Sequence, residues 1–213
     1  MTLIVFKPDA VLRNLIEPIL SRFTQKGFRI VGMKMVSPDR DFFYHHYETI
    51  GKMISRRGEK PFEDTLEYMQ QSPVIAVILE GVDVIANVRK MVGATDPAEA
   101  AVGTIRYDYA HVPLQYCVQQ EIPVCNLLHA SGNVEEAELE IEHWFRREEQ
   151  FLYDRLDRQF FHGWGFKETR KGECYAFSFL YSSNFSIQFL YPNWKAFSRF
   201  FLSSSSTPQG TFS

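Results

Sequence analysis

The sequence predicts a mainly antiparallel α+β fold of the split βαβ, ferredoxin-like kind, with covering helices on one face of the sheet. Three observations point to it. Continuous apolar runs at residues 3–6 and 74–79 read as buried strands. Each run is followed by apolar residues at helical spacing. Along the chain, the candidate elements come as strand, helix, strand, helices, strand, helix, strand and helix.

Each element has a local cause. Leu3-Ile4-Val5-Phe6 is apolar at every position, as a strand buried on both faces would be, and Lys7 stands at its end. Ile16, Ile19, Leu20 and Phe23 recur at helical spacing. Asn14 with Glu17 resembles a capping box for that helix, Pro18 fits only its first turn, and Gly27 suits its C-terminal stop. Residues 28–36 form a second strand, interrupted by Gly32, and residues 74–79 a third, introduced by Pro73. Helices are expected between these strands, over about 42–54 and 62–70. Past Gly81 a helix covers 84–91, the run from Gly93 to Asp96 breaks it, and Pro97 starts another turn. Residues 103–106 are loop-like, residues 109–120 have no clear period, and 122–125 is the last strand candidate. Asn133 and Glu136 then make a capping box for a helix whose buried stripe is Val134, Ala137, Ile141, Trp144 and Phe145. Beyond about Tyr153 the chain becomes rich in Phe, Tyr and Ser. Its final serine run has little apolar surface to offset the entropy of ordering, so roughly the last ten residues are expected to be disordered.

Composition narrows the function classes. With 213 residues, 45% apolar and 23% charged, the chain can bury a core of ordinary size. Its net charge of -3 gives no general attraction for nucleic acid or membrane, so any anionic ligand needs a local cluster of positive groups. Three cysteines, Cys117, Cys125 and Cys174, form no CxxC pair, and the N-terminus lacks a signal-peptide pattern; a reducing, cytoplasmic setting is expected. No apolar run is long enough to span a bilayer.

The run Asn126-Leu127-Leu128-His129-Ala130-Ser131-Gly132-Asn133 sets a histidine between an amide and a hydroxyl just before a helix. A neutral imidazole held still by polar neighbours can accept a transferable group and pass it on. A lone histidine at a strand end would be an ordinary core residue. Four further segments remove that reading: residues 2–10 (TLIVFKPDA), Lys60-Pro61-Phe62, residues 88–97 (VRKMVGATDP) and Gly103-Thr104-Ile105-Arg106. Together, and in this order, the five resemble the nucleoside diphosphate kinases over roughly residues 1–154. Residues 155–213 are left as an unmatched C-terminal extension of unknown role.

The resemblance implies ping-pong transfer of a γ-phosphate between nucleotides through a phosphohistidine. His129 matches the nucleophile, which attacks through Nδ1; Glu140 matches the carboxylate that holds the ring, and Ser131 the hydroxyl beside it. Lys7, Arg89 and Arg106 match the positive groups around the phosphates, which phosphoryl transfer needs more than any further covalent chemistry. Tyr47 and Thr95 match hydroxyl donors to the phosphates, Asn126 the amide near the sugar, and Phe62 the ring that stacks on the base. Mg²⁺ is expected to arrive on the nucleotide phosphates, with no protein ligand of its own, and His45-His46 is not read as a metal site because neighbours on a helix face different ways. Nucleoside di- and triphosphates are the implied partners, with a homo-oligomer of open order and no nucleic acid.

The chain departs from the family in several places. Gly132 stands where an acidic residue is usual, Tyr107 replaces a usual glycine, and the stretches 54–59 and 109–125 are lengthened. The basic pair Arg56-Arg57 in the first of these reads as a solvated loop, or as an aid to nucleotide access. The competing reading of the whole chain is a non-catalytic nucleotide-binding or assembly module retaining the fold.

Overall fold

The structure is a computed structural model that describes residues 1–154. Its sheet contains β1 (Thr2–Phe6), β2 (Arg29–Val36), β3 (Val74–Glu80) and β4 (Leu128–Ala130), in the order β2-β3-β1-β4 with every neighbouring pair antiparallel. β3 therefore lies between β1 and β2, which run parallel, and β1 lies between β3 and β4. These are two interlocked split βαβ units, the expected α+β ferredoxin-like class.

The helices are α1 (Pro8–Leu12), α2 (Ile16–Gln25), α3 (Arg40–Tyr44), α4 (Met53–Arg57), α5 (Glu59–Met69), α6 (Val84–Val92), α7 (Ile105–Tyr109), α8 (Leu114–Gln119) and α9 (Val134–Trp144). They cover both faces of the sheet rather than one. Ile4, Phe6, Ile75, Val77 and Leu79 pack with Ile19 and Phe23 of α2 and with Val84, Val88 and Val92 of α6. The alternate residues Leu3, Val5, Val74, Ala76 and Ile78 pack with Phe43, Phe62, Leu66, Met69, Ile141 and Trp144. Strands that are apolar at every position require this, because side chains alternate between faces and neither set can be left in water.

Several boundaries differ from the expected ones. The segment 122–125 is not a strand. β4 is instead the three residues Leu128–Ala130, paired so that Val5 faces His129 and Phe6 faces Leu128. Residues 103–106 run into α7, and 114–119, without period, form α8. Asn14 does not cap α2: Leu15 holds that position, and Asn14 takes a left-handed turn at φ 55°. Asn133 does cap α9, its Oδ1 accepting from Glu136 N at 2.8 Å, but Val134 is 59% exposed and outside the buried stripe. The tail beyond Asp154 lies outside the described residues.

Gly32 marks a β-bulge. Ile30 pairs with Leu79 and Gly32 with the next residue, Ile78, so Val31 is the extra residue. The carbonyl of Val31 accepts from Phe151 N at 2.7 Å, which brings the segment after α9 across the bulge. A β-carbon on Gly32 would meet Glu149 O at 2.9 Å and Phe145 Cε1 at 3.2 Å. Gly32→Ala should therefore cost about 1–3 kcal/mol by overpacking. A urea midpoint unchanged from that of the parent chain would show that the crossing segment gives way freely.

Candidate active site

The alternation of β4 builds the site. Leu128 and Ala130 pack into the cluster containing α2 and α6, so His129 points to the opposite face, where α9 and residues 45–50 lie. There His129 Nε2 meets Glu140 Oε1 at 2.8 Å, and Ser131 Oγ donates to Glu140 Oε2 at 2.6 Å. Ser131 in turn is fixed to β1: its N donates to Leu3 O at 3.2 Å, and its Oγ accepts from Leu3 N at 3.1 Å. Glu140 is 1% exposed. Burial alone would raise its pKa, but the charge and hydrogen bond of His129, with His46 and the Ser131 hydroxyl, bring it down to about 2. An ionised carboxylate only accepts, so His129 carries its proton on Nε2, and the Nδ1 lone pair is left for chemistry.

Residues 45–50 form a π-helix, His45–Ile50, and its wide turn places the adjacent residues His46 and Tyr47 both inward. Their rings stand perpendicular to that of His129, with centroids 4.6 Å and 6.2 Å away. Trp144 Nε1 donates to His46 Nδ1 at 3.2 Å, and burial, followed by the neighbouring His129, holds the His46 pKa well below the ordinary value. His46 is thus a neutral wall. The Tyr47 hydroxyl is buried without a hydrogen-bond partner, and burial raises its pKa, so it remains a donor in want of an acceptor. Possible ligand atoms of His46, His129 and Glu140 lie within 4.8 Å of one another, a grouping that could hold a metal ion. Both Glu140 oxygens are already committed to His129 and Ser131, however, so the three residues act as an orienting network for the imidazole.

His129 opens onto a cleft of about 1340 Å³. Its walls include Lys7, Tyr47, Arg89, Thr95, Arg106, Asn126 and Glu140, so the geometry brings most of the sequence candidates together. Lys7 Nζ donates to Asn126 Oδ1 at 2.8 Å, and Asn126 Nδ2 donates to Thr95 O at 2.8 Å. Burial and then the nearby Arg106 lower the Lys7 pKa to about 8. Arg106, in the first turn of α7, is 8% exposed, and its pKa falls to about 10 through burial and the neighbouring Arg89 and Arg57. Its guanidinium donates to the carbonyls of Gly93, Ala94, Asn126 and Leu128 at 2.6–3.1 Å. Four of its five N–H groups are thereby used in holding the cleft walls together, leaving one for a ligand.

Phe62 is the exception. It is 1% exposed and does not line the cleft; it packs edge-on against Tyr44, 5.4 Å away, among core residues that include Leu66 and Met69. The spacing of 62, 66 and 69 places it on the inward face of α5, so it cannot stack on a base in this arrangement. The cleft instead carries Leu114, Val118 and Ile122 of the lengthened segment.

Two contributors were not evident from the sequence. Asp9 is 8% exposed; its Oδ1 accepts from the Tyr68 hydroxyl at 2.6 Å and its Oδ2 from Leu127 N at 3.0 Å. Leu127 is a buried residue at φ 71°, so Asp9 holds a left-handed turn immediately before β4. The KPD run carried this aspartate, but nothing local showed that its partners lie 59 and 118 residues away. The second is Glu136, whose Oε2 accepts from Gly132 N at 3.0 Å and sits 2.5 Å from where a Gly132 β-carbon would be. The Glu136 carboxylate thus fills the space that a side chain at position 132 would take. Tyr107 lies within α7 at ordinary helical backbone angles, so no glycine is needed there.

Residues 1–150 match the family profile described as nucleoside diphosphate kinase. A nucleoside diphosphate kinase of Pyrococcus horikoshii is 44% identical over 161 residues, covering 75% of this chain and 94% of that protein. Nucleoside diphosphate kinase A of Canis lupus familiaris is 39% identical over 152 residues, covering 71% and 90%. Among solved structures, a transition-state mimic of the Borrelia burgdorferi nucleoside-diphosphate kinase with bound vanadate and ADP superposes with a TM-score of 0.73 at 34% identity, covering 76% of this chain and 96% of that one. On this similarity the chain belongs to the nucleoside diphosphate kinase family.

Proposed function

We propose that the protein is a nucleoside diphosphate kinase that moves a γ-phosphate through a phosphohistidine on His129. One observation carries this reading: a buried, ionised Glu140 holds Nε2–H of His129 and leaves Nδ1 facing a cleft lined by Lys7, Arg89 and Arg106. In the first half-reaction the Nδ1 lone pair forms a bond to the γ-phosphorus, the bond from that phosphorus to the β,γ-bridging oxygen breaks, and the nucleoside diphosphate leaves with those electrons. The imidazole, still protonated on Nε2, becomes cationic, and Glu140 balances that charge without any proton having to move. In the second, a terminal oxygen of another nucleoside diphosphate attacks the same phosphorus and the N–P bond breaks. The Tyr47 hydroxyl and the charges of Lys7 and Arg89 stabilise the transferring group, with the last N–H of Arg106 beside them.

Mg²⁺ fits as a passenger on the nucleotide, because the inner cleft around His129 presents cations that would repel a free metal; it would neutralise the phosphate oxygens. Asn126 and Thr95 sit at the sugar end of the phosphate path, and Ser131 and Glu140 remain behind the histidine. The base lies against Leu114 and Val118 rather than Phe62, a flat apolar wall that tolerates purines and pyrimidines alike. Residues 1–154 form the catalytic domain, and 155–213 an extension of unknown role. Among the described residues no helix is long and apolar enough to cross a membrane. The free thiols Cys117 and Cys125 suit a reducing cytoplasm, and exposed Met33 and Met35 on edge strand β2 suit self-association.

With γ-labelled ATP the chain should take up alkali-stable, acid-labile label that any nucleoside diphosphate removes. Folded wild-type protein that gains no label on His129 would overturn the proposal, leaving the non-catalytic module. Glu140→Gln should keep the fold but slow labelling by about 10²-fold, the order found when one stabilising group is lost; an unaltered rate would mean that the carboxylate does not balance the imidazolium. Lys7 is charged below about pH 8 and neutral above it, so kcat/KM should fall as pH rises through that value. In Lys7→Arg, whose side chain does not titrate there, that limb should vanish from the pH profile whatever the absolute rate. Its persistence would assign the limb to another group.

A further inference from the structure

Two positive groups of the cleft have no bonded partner among the described residues: Arg89, already placed, and Arg57 of α4. The other four are committed. Lys7 bonds Asn126, Arg106 its carbonyls, Arg56 the carbonyl of Gly51 at 2.9 Å with Glu136 at 3.4 Å, and Lys60 pairs with Glu121 at 2.9 Å.

Helix α4 is short but well anchored. It starts after Lys52 at φ 49° and stops at Gly58 at φ 93°, a conformation that suits glycine. Glu48 Oε2 accepts from Ile54 N at 2.7 Å, and Met53 and Ile54 pack against the core beneath. Arg56 Nη1 also comes within 3.4 Å of Glu136 Oε1 on α9, an exposed pair. The neighbouring side chain, Arg57, is exposed and lines the same cleft as Lys7, Arg89, Arg106 and His129. Its charge is near enough to help depress the pKa of both Lys7 and Arg106. An exposed guanidinium near two cations, with no carboxylate partner among the described residues, sits in a repulsive field that an anion with several oxygens would relieve. Arg106 has spent four of its N–H groups on backbone, so the cleft is short of free donors at this point.

We propose that Arg57, carried into the cleft by the lengthened segment 54–59, binds the non-transferred phosphates of the nucleotide as a further binding residue. It acts on nucleotide affinity and on selection for two phosphates over one, not on the transfer step at His129. This rests on the proposed kinase reading, and its test separates the two.

The full chain, first phosphorylated on His129 with labelled ATP, is discharged by ADP at several salt concentrations in the wild type, Arg57→Ala and Arg57→Lys. Adenosine, AMP and ADP binding to the unphosphorylated proteins is measured in parallel. For Arg57→Ala the KM for ADP should rise about tenfold with kcat nearly unchanged, in keeping with loss of one charge-assisted hydrogen bond. Its salt dependence should be shallower, adenosine affinity should stay the same, and Arg57→Lys should recover part of the loss. A KM for ADP within twofold of wild type, or an equal loss of affinity for adenosine and ADP, would overturn the phosphate role while leaving the kinase standing. Failure of the wild type to be labelled is the separate result that removes the kinase itself.

Discussion

The site depends on keeping one carboxylate ionised inside the protein. Glu140 is 1% exposed, and an isolated charge there would be prohibitive without compensation. It is compensated by two hydrogen bonds that are themselves consequences of the fold. Ser131 can reach it because Ser131 continues the β1–β4 pairing onto Leu3, and His129 can reach it because β4 alternation turns that one residue toward α9. α9 must then start at Asn133, so that Glu140 arrives two turns later on the inward face with Ile141 and Trp144. The carboxylate, the strand register and the helix start specify one another. The chemical result is a histidine with a fixed tautomer and a counter-charge already in place.

Around that centre the inner cleft gathers the positive side chains Lys7, Arg89 and Arg106, two of them held in place by neutral groups. Lys7 is fixed by an amide and Arg106 by four carbonyls, so none of those hydrogen bonds cancels a charge. Burial, and after it the neighbouring positive charges, lowers the pKa of Lys7 to about 8 and of Arg106 to about 10. An anion with several oxygens would relieve the repulsion between these cations without any contact to a base. At the outer edge, Glu136 and Glu121 pair with Arg56 and Lys60. Exposed pairs of that kind are weak and readily exchanged.

The structure brings most of the sequence candidates for the site together, while several element boundaries moved. Lys7, Arg89, Thr95, Arg106, Asn126, His129, Ser131 and Glu140 all come to one place, and all but Glu140 stood in one of the short runs that carry the resemblance. Phe62 failed because a Pro-Phe pair reads the same whether its ring faces a cleft or a core; Leu66 and Met69, further along the helix, were the signal that it faces inward. The fourth strand was misplaced for a related reason. Residues 122–125 have the apolar content of a strand, whereas Leu128–Ala130 includes a histidine and an alanine and pairs only because β1 offers an open edge there. Helices on both faces could have been anticipated from Leu3-Ile4-Val5-Phe6 alone, since a strand apolar on both sides needs two covers.

By itself the sequence determined the fold class, the family and the chemical types at the site, because apolar periodicity and short motifs are local properties of the chain. Only the tertiary structure decided how those groups work. It gave Nε2 of His129 to Glu140, leaving Nδ1 without a bonded partner among the described residues, and made Arg106 a brace between the cleft walls. It also let Asp9 hold Leu127 in a left-handed turn, brought Glu136 into the space beside Gly132, and set Arg57 at the wall of the same cleft as His129. Each of these depends on hydrogen bonds, close contacts or charges that chain folding brings together, and no window along the sequence contains a whole set of partners.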